Sequence, residues 1–151
     1  EGDCAEIYGN LYNWHAVADS RGICPDGWHV PSDDEWIELE MLLGIDSGEL
    51  YQNGIRGSVE GGKLKEIGYN QWFEPNIGAT NETGFTAFPG GDRSGGNGLF
   101  FGLQADGVIW TSTESVSNSA WHRYLWYNAS WIDRSDSGNK NYGYSVRCLK
   151  D

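Results

Sequence analysis

The sequence predicts an α+β fold that is rich in loops, and three observations support this class. One helix early in the chain is followed by short candidate strands that are separated by polar turns. The chain contains 22 glycines and 8 tryptophans in 151 residues, a composition typical of loops held in place by large buried rings. Its length allows one hydrophobic core and no composition break divides it, so we expect a single domain over residues 1–151.

The helix is predicted over SDDEWIELEMLL, residues 32–43. Ser32 is placed to cap its first turn, and Glu35 three residues later completes a capping box. Apolar residues recur along one stripe, and Gly44 provides the C-terminal stop. A short second helix is predicted at residues 60–67.

The candidate strands are short runs of aromatic and β-branched residues. The segment PGGDRSGGNG, residues 89–98, is too rich in glycine for regular structure and is predicted to be a mobile loop. The strands are predicted at residues 85–88, 99–103, 108–113, 121–126, 131–133 and 144–149.

The charge of the chain excludes several classes of partner. The net charge is -12, the pI is near 4.5, and the ten Lys and Arg residues are scattered. Binding to nucleic acid or to an anionic membrane surface needs clustered basic residues, so we expect neither. No apolar run approaches the roughly 20 residues that cross a bilayer, so no membrane insertion of this domain is expected.

Three cysteines are present, Cys4, Cys24 and Cys148, so one thiol is left over if two of them pair. We expect Cys24 and Cys148 to pair. Closing their loop of more than a hundred residues would stabilise the folded state by roughly 4 to 5 kcal/mol in the chain-entropy model. Such a bridge implies an oxidising compartment. The alternative is three reduced, buried thiols in a cytosolic protein.

Aromatic side chains alternate with Asn, Ser and Asp between residues 120 and 148. If residues 121–126 form a strand, His122, Tyr124 and Trp126 share one face. Flat rings beside short hydrogen-bonding groups suit a sugar or an adaptable protein contact, whereas the alternative is ordinary core packing. The predicted ligand-binding residues are His122, Tyr124, Trp126, Tyr127, Asn128, Ser130, Trp131, Asp133, Ser135 and Asp136.

Catalytic and metal-binding patterns are weak. No nucleophile elbow, phosphate loop or dinucleotide fingerprint is present, and the three histidines lack metal-ligand spacing, so we expect no enzyme activity and no catalytic residues. Calcium is the cofactor that the sequence allows, because Asp and Asn side chains offer some of the six to eight oxygen ligands that it needs. Asp133 with Asp136, or alternatively Asn81 with Glu82, are its candidate ligands, and without metal these side chains would satisfy turns.

Several motifs in order resemble one family, the Fibrobacter succinogenes major paralogous domain. The stretches that carry the resemblance are YGNLYNWHAV (8–17), CPDGWHVPSDDEW (24–36), GGKLKEIG (61–68), GATNETGFTAFPGGDR (78–93), WTSTE (110–114), AWHRYL (120–125) and YGYSVRCLKD (142–151). The resemblance implies a secreted or cell-surface location, as an outer-membrane lipoprotein or as part of a larger exported protein. Family members carry a longer segment ahead of Tyr8, so this chain is N-terminally short by comparison.

A more distant similarity implies the architecture. The motifs WHVPS (28–32), EW (35–36) and YSVRC (144–148) are similar to those that bracket the formylglycine-generating-enzyme type of C-type lectin-like fold. The resemblance implies that an early capped helix and a short second helix pack on small antiparallel sheets. The Cys24–Cys148 bridge would tie the early helix to a late strand. The neighbouring catalytic cysteines of that enzyme are missing, so its oxidase activity is not carried over.

Two functions therefore remain as hypotheses. The first is glycan binding or adhesion, in which the rings stack on sugars and the polar side chains bind hydroxyls. The second is a protein-interaction or structural module of a larger surface assembly, with diversified residues on the same face, as related C-type lectin-like folds display. The expected partner is thus a glycan or a surface protein.

Overall fold

Four short helices and eight strands make up a computed structural model that describes residues 4–151. The first three residues of the N-terminal segment, which was predicted to be short, lie outside the described residues. The helices are α1 (Cys4–Tyr8), α2 (Trp14–Val17), α3 (Asp33–Leu43) and α4 (Glu60–Leu64). The strands are β1 (Trp28–His29), β2 (Gly54–Arg56), β3 (Asp92–Arg93), β4 (Phe100–Phe101), β5 (Asp106–Val116), β6 (Ser119–Trp126), β7 (Ile132–Asn139) and β8 (Leu149–Lys150).

The central sheet is antiparallel and has the strand order β2-β7-β6-β5. Two small antiparallel pairs, β1-β8 and β3-β4, accompany it. The β1-β8 pair joins distant parts of the chain, with Trp28 opposite Lys150. The predicted class of a mixed α and β fold with few helices and small antiparallel sheets is confirmed.

Helix α3 begins and ends as the sequence predicts. The Ser32 side chain accepts from the Glu35 backbone N–H, the Glu35 side chain accepts from the Ser32 backbone N–H, and Gly44 is left-handed at φ 111°. The buried stripe of the helix packs against one face of the central sheet. Its core cluster comprises Trp36, Ile37, Leu43, Ile45, Leu50, Leu64, Trp72, Ala87, Ile109, Leu125 and Ile132.

Five buried charges connect α3 to the sheet, and we call them the ion network: Asp33, Glu40, Arg56, Arg123 and Arg134. Glu40 accepts from Arg56 at 2.8 and 2.9 Å and from Arg123 at 2.5 Å. Asp33 accepts from Arg123 at 2.7 Å and from Arg134 at 2.6 Å. Burial alone would raise the pKa of Asp33, but the hydrogen bond from Arg134 and the charge of Arg123 hold it below its usual range.

A second core cluster covers part of the opposite face of the sheet. It comprises Trp14, Val17, Val30, Val108, Trp110, Ala120 and Tyr144. The indole N–H groups in it are satisfied by backbone carbonyls: Trp14 donates to Thr111 at 3.0 Å and Trp110 donates to Tyr12 at 2.8 Å. This cluster determines how much of that face remains accessible.

The predicted disulfide between Cys24 and Cys148 is confirmed, with a Cα–Cα distance of 5.8 Å. It links the segment before β1 to the segment before β8, so the disulfide and the β1-β8 strand pair join the same two parts of the chain. Cys4 is exposed and carries a free thiol.

Three predicted strands are shorter than expected or absent. Residues 85–88 form no strand, and Ala87 makes only an isolated bridge to Lys65. The prediction at 99–103 reduces to β4, and the prediction at 144–149 reduces to Leu149 in β8. At Tyr144 and Ser145 the backbone amides donate to Tyr12 and Val108 respectively, so their hydrogen bonds are divided between two segments and no continuous ladder forms.

Two other local predictions were wrong in part. The segment 89–98, predicted as an irregular mobile loop, contains β3, because Arg93 and Gly143 exchange backbone hydrogen bonds and Asp92 pairs with Phe101. The second helix ends at Leu64 instead of residue 67, because the Lys65 backbone is extended at ψ 146°. Among residues 4–151, no helix has both the length and the apolar character needed to cross a membrane.

Candidate functional site

Strands β6 and β7 present different side chains on their two faces, in the alternation that the sequence predicts. Arg123, Leu125, Ile132 and Arg134 are buried on the face that packs against α3. Asp133 and Ser135 of β7 alternate with these and lie opposite Tyr124 and His122 of β6, before the register shifts toward Ala120. The outer face of the sheet therefore carries half of the predicted binding residues: His122, Tyr124 and Trp126 from β6, and Asp133 and Ser135 from β7.

Three rings of this face form a continuous cluster, which we call the aromatic ladder: Tyr124, Trp126 and Trp131. Tyr124 and Trp126 stack with centroids 3.8 Å apart and planes inclined by 27°. Trp131 meets Trp126 edge-on at 4.4 Å and 62°. All three residues are half-buried: Tyr124 packs against the second core cluster, and part of each residue stays exposed to solvent.

Carboxylates surround the Tyr124 end of the ladder. Burial, then the hydrogen bond to Asp106 and its charge, raise the pKa of the Tyr124 hydroxyl above its usual value. Burial raises the pKa of Asp106, and burial together with the charge of Asp106 raises the pKa of Asp92. Asp133 lies opposite Tyr124 across the β6-β7 pair, and its Oδ1 has no hydrogen-bond partner among residues 4–151. Burial raises the pKa of this carboxyl as well. The Tyr124 end of the ladder thus lies among half-buried carboxylates.

His122 does not belong to the accessible part of the face, and its predicted exposure was wrong. Its side chain is 6% exposed, with ring centroids 5.8 Å from Trp110 and 5.1 Å from Tyr144. Burial lowers the pKa of His122 to about 4, so the imidazole is neutral at pH 7. His122 is buried because the second core cluster covers this end of the sheet. The alternation within β6 predicts which face a side chain lies on but not what covers that face.

The turn between β6 and β7 holds three more of the predicted residues. Tyr127 packs edge-on against Phe73 at 6.1 Å, and its ring contacts the core cluster on the α3 side of the sheet. The Ser130 hydroxyl donates to the Ser58 carbonyl at 2.6 Å. Tyr127 and Ser130 therefore support the turn, whereas Asn128 is exposed beside the ladder.

Lys65 positions this turn, and the sequence reasoning missed it. Its ammonium group donates to the backbone carbonyls of Ile77, Trp126 and Ala129 at 2.8 to 2.9 Å. The residue is 0% exposed, and burial lowers the pKa of Lys65 to about 8. The role of Lys65 could not be predicted from periodicity, because the carbonyls of Trp126 and Ala129 that it binds lie more than sixty residues away. The one local indication in the sequence is its position in the motif GGKLKEIG.

Glycine in that motif allows the turn to approach α4. A Cβ on Gly61 would lie 2.2 Å from the Trp131 carbonyl oxygen, and the Gly62 N–H donates to the Ser130 carbonyl at 2.9 Å. The close backbone approach at Trp131 therefore requires a residue without a side chain.

The remaining predicted residues bond within the chain. Ser135 and Ser137 share a hydroxyl hydrogen bond of 2.8 Å. The Asp136 carboxylate accepts from the Asn53 side-chain amide at 2.8 Å. Both lie on β7 beyond the ladder, so the structure separates them from the rings that the sequence grouped with them.

The candidate calcium ligands are also engaged. The Asn81 carbonyl accepts from the Thr86 N–H at 2.8 Å, and Glu82 forms an ion pair with Lys63 at 3.4 Å. Over residues 4–151, no group of three or more His, Cys, Asp or Glu side chains could hold a metal ion. Calcium therefore stays a prediction without a ligand set that supports it.

Comparison with known proteins identifies the family of this chain. No curated protein and no solved structure matches the chain. The family model of the Fibrobacter succinogenes major domain matches residues 3–150, in agreement with the motifs from Tyr8 to Asp151. Because this match spans nearly the whole length, the chain belongs to the Fibrobacter succinogenes major domain family.

Proposed function

We propose that this chain is a non-catalytic recognition domain of C-type lectin-like fold, and that it binds a glycan through the aromatic ladder. The observation that carries the proposal is the contiguous, half-buried cluster of Tyr124, Trp126 and Trp131. Large rings left partly open to solvent are the side chains that bind the apolar faces of other molecules. Because a sugar ring presents C–H groups on its faces and hydroxyls on its edge, it can use both the rings and the acceptors beside them.

The acceptors that support the proposal are those without partners. Asn128 is exposed at the turn, and Asp133 is half-buried, with an Oδ1 that is buried and unpaired among the described residues and that a ligand hydroxyl reaches only when neighbouring side chains move. A hydroxyl that donates to a carboxylate forms a short, charge-assisted hydrogen bond. The ladder with Asp133 and Asn128 is therefore the part of the predicted face that we assign to the ligand.

The fold and the location belong to the same proposal. The β1-β8 pair and the Cys24–Cys148 disulfide join the region just before α3 to the end of the chain, which is the tie expected in a C-type lectin-like fold. A disulfide also favours an oxidising compartment, so we propose a secreted or cell-surface location, as an outer-membrane lipoprotein or as part of a larger exported protein.

The test is a glycan array followed by calorimetric titration of any glycan bound. The double variant Trp126→Ala with Trp131→Ala removes two rings of the ladder, and we expect its affinity to fall at least tenfold, which corresponds to about 1.4 kcal/mol. The matched control is Trp28→Ala, which removes an indole that is 43% exposed and lies on β1. Equal affinity in the double variant and the control, or an array without any bound glycan, would refute the proposal.

Protein interaction through the same face is the second candidate, and one observation favours it. Ser130, Ser135 and Asp136 bond within the chain, so the open part of the face is more apolar than its sequence suggests, as the centres of protein interfaces are. A partner or a second copy that protects Trp126 and Trp131 from oxidative footprinting would support this function. Unchanged labelling of both indoles in the presence of the partner would exclude it.

A further inference from the structure

A groove with a volume of about 430 Å³ lies beside the Cys24–Cys148 disulfide, and no residue of the aromatic ladder lines it. We call it the disulfide groove and define it by Trp28, Leu39, Phe85, Arg147 and Leu149. Trp28 and Leu149 are each 43% exposed although strand pairing between β1 and β8 fixes their backbones. The groove therefore has fixed apolar walls that the described residues leave uncovered.

Arg147 is the cation of this groove. Its Nη2 donates to the Phe85 and Thr86 carbonyls at 2.9 and 3.0 Å, and its guanidinium carbon lies 4.9 Å from the centre of the Phe85 ring. These contacts fix the guanidinium without neutralising it. The Nε and Nη1 donors have no hydrogen-bond partner within the described part of the chain, and no carboxylate there forms an ion pair with Arg147.

Four of the other five arginines have carboxylate partners: Arg21 and the three arginines of the ion network. Arg93 also forms no ion pair among residues 4–151, and its guanidinium carbon lies 5.9 Å from the centre of the Phe100 ring. The net charge is -12, so carboxylates are plentiful, yet none pairs with Arg147 within residues 4–151. The carboxylate that lines the same groove, Glu35, is engaged elsewhere: it accepts from the Ser32 N–H at 2.8 Å and contacts the His29 ring at 2.8 Å.

We propose that the disulfide groove binds a small amphipathic carboxylate, with its apolar body against Trp28, Leu39 and Leu149 and its carboxylate on Arg147. The volume falls within the roughly 300–1,000 Å³ typical of small-ligand pockets, which are mainly apolar with a few fixed polar groups. A fixed guanidinium with unused donors provides a charge-assisted hydrogen bond to an anion. This proposal is independent of glycan binding, since the two sites share no residue.

The test compares sodium octanoate with 1-octanol, which has the same chain length and no charge, by amide-detected NMR titration of the whole chain. We expect octanoate to shift signals around Trp28, Arg147 and Leu149 and to bind about tenfold more tightly than octanol. Equal affinity for the two probes, or octanoate shifts located on another surface, would overturn the proposal.

Matched variants locate the charge effect without depending on Arg147, whose loss could disturb the Phe85 loop. Leu149→Glu places a carboxylate on the wall of the groove, and Leu149→Gln is its uncharged counterpart of similar shape. We expect octanoate affinity to be at least fivefold lower in Leu149→Glu than in Leu149→Gln, because the like charges repel each other at short distance. We also expect octanol to bind the two variants equally and Trp131→Ala to bind octanoate as the unmodified chain does. The same octanoate affinity in both Leu149 variants would refute the assignment.

Discussion

Replacing Glu40 by glutamine removes one charge from the centre of the ion network while keeping the size of the side chain. Glu40 is 0% exposed and accepts hydrogen bonds from both Arg56 and Arg123. The network holds three guanidinium groups and two carboxylates, so the substitution leaves Asp33 as its only anion. The amide of glutamine can accept with one oxygen but turns an N–H₂ group toward a donor.

The size of the effect follows from burial. Removing one partner of a buried ion pair leaves an uncompensated charge and typically destabilises by about 3–5 kcal/mol. We expect Glu40→Gln to lower the free energy of unfolding by this amount. For a chain of about this length, each 1 kcal/mol shifts the melting temperature by roughly 2–4 °C, so a decrease on the order of 10 °C is expected.

The assay is guanidinium unfolding followed by far-ultraviolet circular dichroism, with the disulfide intact. Glu38→Gln is the matched control because Glu38 is exposed on the same helix, and we expect it to change stability by less than about 0.5 kcal/mol. The double variant Glu40→Gln with Arg56→Met should be at least about 0.5 kcal/mol more stable than the sum of the single effects, since it removes a cation along with its anion. A loss below about 1 kcal/mol in Glu40→Gln, or strict additivity in the double variant, would refute this account of the network.

Three further predictions concern covalent and electrostatic links. Replacing both Cys24 and Cys148 by serine opens a loop with a sequence separation of 124 residues, and we expect a loss of up to about 5 kcal/mol in the chain-entropy model, measured by guanidinium unfolding. Hydrogen bonds to Asp151 and then to Glu35 raise the pKa of His29, so its contribution to stability is fully present below its unfolded value of 6.5 and is lost as pH rises through its folded value. An NMR titration should give a midpoint above 6.5 that falls in Asp151→Asn. Burial lowers the pKa of Lys65 from 10.5 to about 8, so between these pH values the unfolded chain binds more protons than the folded chain. In this pH window we expect the free energy of unfolding, measured with guanidinium, to rise with pH in the unmodified chain relative to Lys65→Met.

Local signals account for the parts of the fold that the sequence predicts. The capping box at Ser32 and the stop at Gly44 are contained within α3 and need no distant partner. Strands β5 and β6 are long enough for their aromatic and β-branched residues to indicate them. The sequence predicts β7 only over residues 131–133, because Ile132 is the one β-branched residue among the eight of this strand. By contrast, β1 and β2 have two and three residues, and they exist because Trp28 pairs with Lys150 and Ile55 pairs with Asp133. Such strands are determined by tertiary pairing and carry no pattern of their own.

The candidate site was predictable to the extent that it depends on alternation. Tyr124, Trp126 and Trp131 share a face because successive residues of a strand point to opposite sides. The burial of His122 depends on Trp110 and Tyr144, which come from other segments and cover that end of the sheet. The sequence likewise could not show that Arg147 lacks a carboxylate partner among residues 4–151, because an ion pair depends on positions in space and not on composition.

The two faces of β6 and β7 depend on each other through register. Arg123 and Arg134 lie directly opposite each other across the pair, and both bind Asp33. A slip of one residue in β7 would turn Arg134 outward and bring Trp131 and Asp133 into the core, because the side-chain period of a strand is two. The buried charges oppose this slip, since it would leave Asp33 with fewer partners. We therefore expect Trp131→Ala to leave the register unchanged and Asp33→Asn to weaken it, visible as amide exchange that accelerates more in β7 than in β5, which carries no arginine of the ion network. Equal acceleration in the two strands of Asp33→Asn would show that the apolar core alone holds the outer face in place.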